Sequence, residues 1–150
     1  MADFRFNLLT HSPDVLRVIS TALGDTPDDK FRTDTDVGKA VKMGAKSNHI
    51  ICAANDEIEG FIDTVKGNTV NDGYSFGGVR RGGRVEAIVG PSQVAAIVPL
   101  DYVVADTQEA AGVKGTAKVK KGAPTRHLWR VINVIGDGLP GSKVILERDE

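Results

Sequence analysis

Tyr74-Ser75-Phe76-Gly77-Gly78-Val79-Arg80-Arg81-Gly82-Gly83-Arg84-Val85-Glu86-Ala87-Ile88-Val89 holds two short runs rich in strand-forming residues, separated by Arg81-Gly82-Gly83. Val, Ile, Tyr and Phe suit a pleated, half-buried surface, and glycine permits the positive φ angles of tight turns. The stretch reads as strands over 74–79 and 84–89 joined as a hairpin, with solvated arginines at its tip. Two other uses of Arg80, Arg81 and Arg84 stay open: pairing with carboxylates on a neighbouring subunit, or gripping nucleic acid.

The same punctuation extends both ways from this stretch. Runs over 38–43, 49–54, 60–65, 94–98, 102–105, 116–120, 128–135 and 143–147 are each closed by Gly, Asn, Asp or Pro. Asn71-Asp72-Gly73 and Asp137-Gly138 add turn signals. Short strands at roughly 8–12-residue spacing leave no room for crossover helices, so the expected class is mainly β, a compact barrel or sandwich body over 37–150. No segment repeats at a fixed period, which argues against solenoids and arrays.

Residues 1–36 differ in character and are expected to form an N-terminal arm carrying a short helix, followed by a linker. Ser12 can cap a helix over 13–23, Pro13 suits its first turn, and Gly24 can end it. Val15, Leu16, Ile19, Ala22 and Leu23 would then share one face. An extended arm is the alternative, since Val15, Val18 and Ile19 are β-branched. The polar run over 25–36 reads as a surface loop.

Nineteen basic side chains nearly balance twenty acidic ones in the 150 residues, for a net charge of −1. Residues 1–36 carry four basic and seven acidic groups, and 79–150 carry eleven and eight, so the surface is expected to be two-sided and no polyanion binder. A chain this long buries roughly 68–70% of its unfolded surface and needs no disulfide. Cys52, the single cysteine, lies in the apolar run Ile50-Ile51-Cys52-Ala53-Ala54 and reads as a buried, inert thiol. Neither a signal peptide nor an apolar membrane span is visible, so a soluble protein with no membrane partner is expected.

Each near-match to a catalytic or binding motif fails on spacing. Gly38-Lys39-Ala40-Val41-Lys42-Met43-Gly44-Ala45-Lys46-Ser47 has five residues between its glycines, and Ala45 interrupts the Gly-Lys step, so it cannot aim consecutive amides at phosphate. Asp34-Thr35-Asp36-Val37-Gly38 opens like a calcium loop, but its glycine comes one position early and Ala45 stands where a bidentate glutamate belongs. His11, His49 and His127 are far apart in sequence, and His49 and Cys52, three apart on a strand, point to opposite faces. No Gly-x-Ser-x-Gly elbow occurs. The expectation is a protein without catalytic activity, metal or cofactor.

Lys114, Lys118, Lys120, Lys121 and Arg126 form a second basic stretch, read as a solvated edge strand guarded by lysines or as a contact with an acidic protein. Trp129, the single tryptophan, reads as a core anchor or an interface hot spot.

The order Val37-Gly38-Lys39-Ala40-Val41-Lys42, a long glycine-punctuated series of strands, Pro99-Leu100-Asp101-Tyr102-Val103-Val104-Ala105-Asp106, then Ala117-Lys118-Val119 resembles the decoration or cement proteins of tailed-bacteriophage heads. The closing Trp129-Arg130-Val131 and Val144-Ile145-Leu146-Glu147-Arg148-Asp149 fit the same pattern. The resemblance spans residues 37–149 and implies a protein made in the bacterial cytoplasm that binds the virion's capsid exterior. Its partners would be the major capsid protein and further copies of itself, as a dimer or trimer. Phe4, Phe6, Leu8 and Leu9, with Arg80, Arg81 and Arg84, would be the capsid or subunit contacts. A small β-barrel nucleic-acid-binding module is the alternative, disfavoured by the near-zero net charge and the lack of a stacking motif.

Overall fold

The computed structural model describes residues 18–26, 29–46, 48–66 and 75–149, and these are mainly β. The elements are β1 (Val18–Leu23), α1 (Thr33–Asp36), β2 (Ala40–Met43), β3 (Asn48–Ile51), β4 (Gly60–Lys66) and β5 (Ser75–Arg80). They continue as β6 (Arg84–Val89), β7 (Tyr102–Ala105), β8 (Lys118–Lys121), β9 (Trp129–Ile135) and β10 (Lys143–Arg148). The strands close into two five-stranded barrels, in the orders β1-β3-β2-β4-β5 and β10-β6-β8-β7-β9.

The two barrels are the same fold written twice. Taking β1–β5 onto β6–β10 in chain order, every pairing and direction corresponds: the first and third strands are parallel, and all other neighbours antiparallel. Register corresponds as well. Leu23 faces His49 as Val89 faces Val119. The ladder between fourth and fifth strands shifts between Ile62 and Thr64 in one barrel, and at the equivalent place, between Leu146 and Ile145, in the other. Only scattered equivalents keep the same residue, such as Val41 with Val103 and Arg81 with Arg148, and the sequence accordingly shows no repeat.

Several expectations change here. Arg81-Gly82-Gly83 is no hairpin tip: β5 pairs with β1 and β4, while β6 pairs with β8 and β10, so the turn passes the chain from one barrel to the other. The helix expected over 13–23 is not formed at 18–23, which pair as β1 with β3 and β5; residues 13–17 lie outside the described residues. Cross-strand hydrogen bonds on both sides outweigh the weak helical preference of a β-branched segment. The short helix is α1 instead, inside the expected surface loop, and this loop buries Phe31 and Asp36. The lysine-rich strand β8 is not an edge, since β6 and β7 flank it. Residues 94–98 form no strand.

The larger core lies within the second barrel and runs out to the junction. Ala40, Cys52, Ile58 and Phe61 from the first barrel pack with Val103, Val119, Trp129, Val131, Val144 and Leu146. Leu23, Phe31, Val41, Ile62, Val65 and Val79 form the smaller core of the first barrel. Neighbours such as Ala40 and Val41, or Phe61 and Ile62, thus face different cores, which explains why β2 and β4 begin with continuous apolar runs instead of alternating. Trp129 anchors the junction: its ring meets Phe61 edge-on at 5.0 Å, and its Nε1 donates to the Ile58 carbonyl at 3.0 Å.

Candidate functional site

Closure pairs the strand edges, so what remains available for recognition is loops and side chains. One loop stands out. Between β6 and β7, Val94 is 91% exposed, Leu100 71% and Val98 53%, and Ile97 alone among the large apolar residues there is buried. The expected strand over 94–98 has become an apolar ledge.

The loop's polar groups hold its shape. Gln93 donates from Nε2 to the Ala95 carbonyl at 2.6 Å and accepts the Lys121 N–H at 2.8 Å. Asp101 accepts the Val98 N–H at 3.0 Å and lies 3.6 Å from Lys121 Nζ. Ile97 N–H donates to Gly138 of the β9–β10 turn at 2.9 Å. Gly138 has φ +79, and a Cβ there would come within 2.4 Å of the Ile97 carbonyl oxygen, so only glycine lets the two loops lie together. Leu139, 40% exposed, follows it.

Leu100 itself has φ +78, a region that non-glycine residues enter at a cost of about 1–2 kcal/mol. Its equivalent in the first barrel is Gly38, at φ +96. The two positions make the same bond: Gly38 N–H to the Ile62 carbonyl and Leu100 N–H to the Val131 carbonyl, both at 2.7 Å. The fold therefore asks for a left-handed residue here, glycine supplies it in one barrel, and an exposed leucine occupies it in the other.

A polar cluster sits at the junction. His49 Nδ1 lies 2.8 Å from Thr21 Oγ1, and its Nε2 3.2 Å from Glu59 Oε1. The adjacent His49 ring holds Glu59 below the usual carboxylate range against the opposing effect of burial, aided by the charge of Arg81. Arg148 donates from one terminal nitrogen to the carbonyls of Glu59 and Arg81, at 3.0 and 3.1 Å, and from the other to His127 Nδ1 at 2.8 Å. Its guanidinium lies 5.9 Å from the Trp129 ring centroid. Thr21, His49 and Glu59 are ordered like a nucleophile, base and orienting acid. Thr21 keeps only 9% of its surface exposed, however, so the trio lacks the open approach that attack on a substrate needs. Sequence spacing could not find this cluster, because its members come from six separate segments.

The arginines singled out from sequence each face a carboxylate. Arg80 lies 3.4 Å from Asp63, Arg81 3.7 Å from Glu59 and Arg84 3.3 Å from Glu147. They are not brought together as one basic field. Phe4, Phe6, Leu8, Leu9 and His11 lie outside the described residues. Lys118 pairs with Glu109 at 2.9 Å. Cys52 is buried, and burial, reinforced by Asp56, pushes its thiol up to about 12. Cys52 packs in the junction core while His49 meets Thr21 and Glu59, so the two do not form a pair.

Among the described residues, no group of His, Cys, Asp and Glu is arranged to hold a metal ion, and no helix is long and apolar enough to cross a membrane. A groove of about 300 Å³ at the junction is lined by Phe61, Asp63, Arg80, Val85 and Glu86, with the Asp63–Arg80 pair across it. Compared with known proteins, the chain matches no family model, no curated protein sequence and no solved structure.

Proposed function

We propose that the protein is a structural virion protein that binds the outer surface of a tailed-phage capsid and stabilises contacts between major capsid proteins. Its work is contact, without catalysis or cofactor. The observation that supports this reading best is Leu100: a bulky residue held at positive φ and left in solvent, where the equivalent turn of the sister barrel uses glycine. Backbone strain combined with apolar exposure is a marker of function, since the fold gains from neither. Val94, Val98 and Leu139 extend the same apolar character over the two adjoining loops.

The nearby carboxylates favour an apolar partner surface, because Asp101 and Asp137 are turned onto their own loops: Asp137 accepts the Ser142 hydroxyl at 2.7 Å and the Leu139 N–H at 3.1 Å. A ledge this small gives a weak contact alone. On a repeating shell, an oligomer presenting several ledges gains strength through multivalency. Closed, well-packed barrels suit a protein that must hold its shape under load.

Nucleic-acid binding draws no support from the arginines, each of which is partly neutralised by a carboxylate. The test is sedimentation of the purified protein with mature capsids lacking decoration. Co-sedimentation at micromolar concentration is expected; a protein that stays in the supernatant would overturn the proposal.

A further inference from the structure

The junction cluster contains polar residues that the fold does not require. The duplicated topology supplies an internal control, because each position in one barrel has an equivalent in the other. Thr21, His49 and Glu59 correspond to Ala87, Val119 and Leu128, and His127 corresponds to Ile58. Apolar side chains therefore suffice at all four positions. The two arginines that converge on Glu59, Arg81 and Arg148, are themselves equivalents.

Arginine can only donate hydrogen bonds, so the His127 nitrogen 2.8 Å from Arg148 must present a lone pair. The ring is neutral, with its proton on Nε2. Adding a proton at Nδ1 would set donor against donor and cation against cation. We infer that the His127–Arg148 contact is an acid-released latch, which fastens the end of β10 to the barrel junction while His127 is neutral and lets go when it is protonated. Arg148 is the hub of this latch, since the same guanidinium also holds the Glu59 and Arg81 carbonyls and covers Trp129.

The charged groups around His127 act in both directions. Burial and the Arg148 and Arg81 charges disfavour the protonated ring, whereas Glu59 and Glu57 favour it; the net effect holds His127 below the ordinary imidazole value of 6.5. The Glu59 carboxylate also has the His49 ring beside it, Nε2 to Oε1 at 3.2 Å. A group with a depressed folded pKa binds protons more readily in the unfolded chain. The latch thus contributes stability in full above 6.5 and loses it as pH falls through the lower folded value.

The inference does not depend on capsid binding. Trp129 is the natural reporter, and its emission together with amide exchange over Leu146–Arg148 can be followed between about pH 8 and pH 5. The wild-type protein is expected to show a reversible emission change with faster exchange at the end of β10. His127→Asn, which keeps an acceptor near Nδ1 but cannot titrate, is expected to be flat over the same range. A wild-type protein without the change, or a variant that retains it, would overturn the latch. Should His127→Asn fail to fold, nitrogen NMR of the wild-type ring decides: Nδ1 protonation in step with the Trp129 change supports the latch, and protonation out of step refutes it.

Discussion

Lys39 and Asp36 form a fully buried ion pair, Nζ to Oδ1 at 2.7 Å, with both side chains at 0% exposure. Apart from the Thr35 hydroxyl, which donates to Asp36 Oδ2 at 2.9 Å, the further bonds of the pair reach for backbone. Lys39 Nζ donates to the Ala110 and Val113 carbonyls at 2.8 and 2.5 Å, and Asp36 accepts the N–H groups of Arg32 and Gly112. The pair thereby ties the loop before β2 in the first barrel to the β7–β8 loop of the second. The equivalents of Asp36 and Lys39 in the second barrel, Val98 and Asp101, lie in the apolar ledge instead.

Replacing one partner should leave the other charge buried and unpaired, so Lys39→Met is expected to destabilise the protein by about 3–5 kcal/mol. Urea unfolding at neutral pH measures this. Burial pushes Asp36 upward, but Lys39, the Arg32 and Gly112 N–H groups and the Thr35 hydroxyl outweigh it and hold the carboxyl below its ordinary 3.8. Its stabilising contribution is present above 3.8 and lost as pH falls through the lower folded value, a dependence expected to vanish in Asp36→Asn.

Glu57 clips the segment leading into β9. Its Oε1 accepts the N–H groups of Thr125, Arg126 and His127 at 2.9, 2.7 and 3.1 Å, and its Oε2 accepts the Thr125 hydroxyl at 3.0 Å. These bonds, led by that from Arg126, lower the carboxyl from 4.5 to about 2. With solvent screening included, Glu57→Gln is expected to cost about 1 kcal/mol at neutral pH. Because the folded value is depressed, wild type should lose stability between 4.5 and about 2, and the variant should lose less over that interval. Thermal melts at stepped pH compare the two.

Cys52 offers a probe of the junction itself. Only the thiolate reacts, and a buried thiol raised to about 12 supplies almost none. Labelling of the native protein by a disulfide reagent is expected to follow the rate of opening and to reach completion only under denaturant. Rapid labelling without denaturant would mean that the junction core opens on its own.

Much of the strand pattern is legible in the sequence because turn residues bracket it: 84–89 and 102–105 fall on β6 and β7. Other features escape for physical reasons. Ile19, Ala22 and Leu23 fit a helical stripe as well as a strand, and only pairing with β3 and β5 decides between them. The run over 94–98 is as apolar as a strand, yet its backbone is used by side chains of its own loop and by Gly138. Duplication is hidden because the barrels share pairing but few residues, as His49 against Val119 and Gly38 against Leu100 illustrate. His49 meets Glu59, and His127 meets Arg148, only through closure of strands distant in sequence.

The ledge gives the most direct test of the account as a whole. Leu100→Gly relieves a strained φ that glycine adopts at the equivalent position, and Val94→Ser removes an exposed apolar side chain, so the double variant is expected to keep its stability within about 1 kcal/mol. Wild type and variant are sedimented side by side with the undecorated mature capsids used to test the proposed function. The expected result is co-sedimentation of wild type to a fixed ratio and loss of most binding in the variant. Equal binding of both proteins, or binding of neither, would contradict the claim that this surface is where the protein does its work.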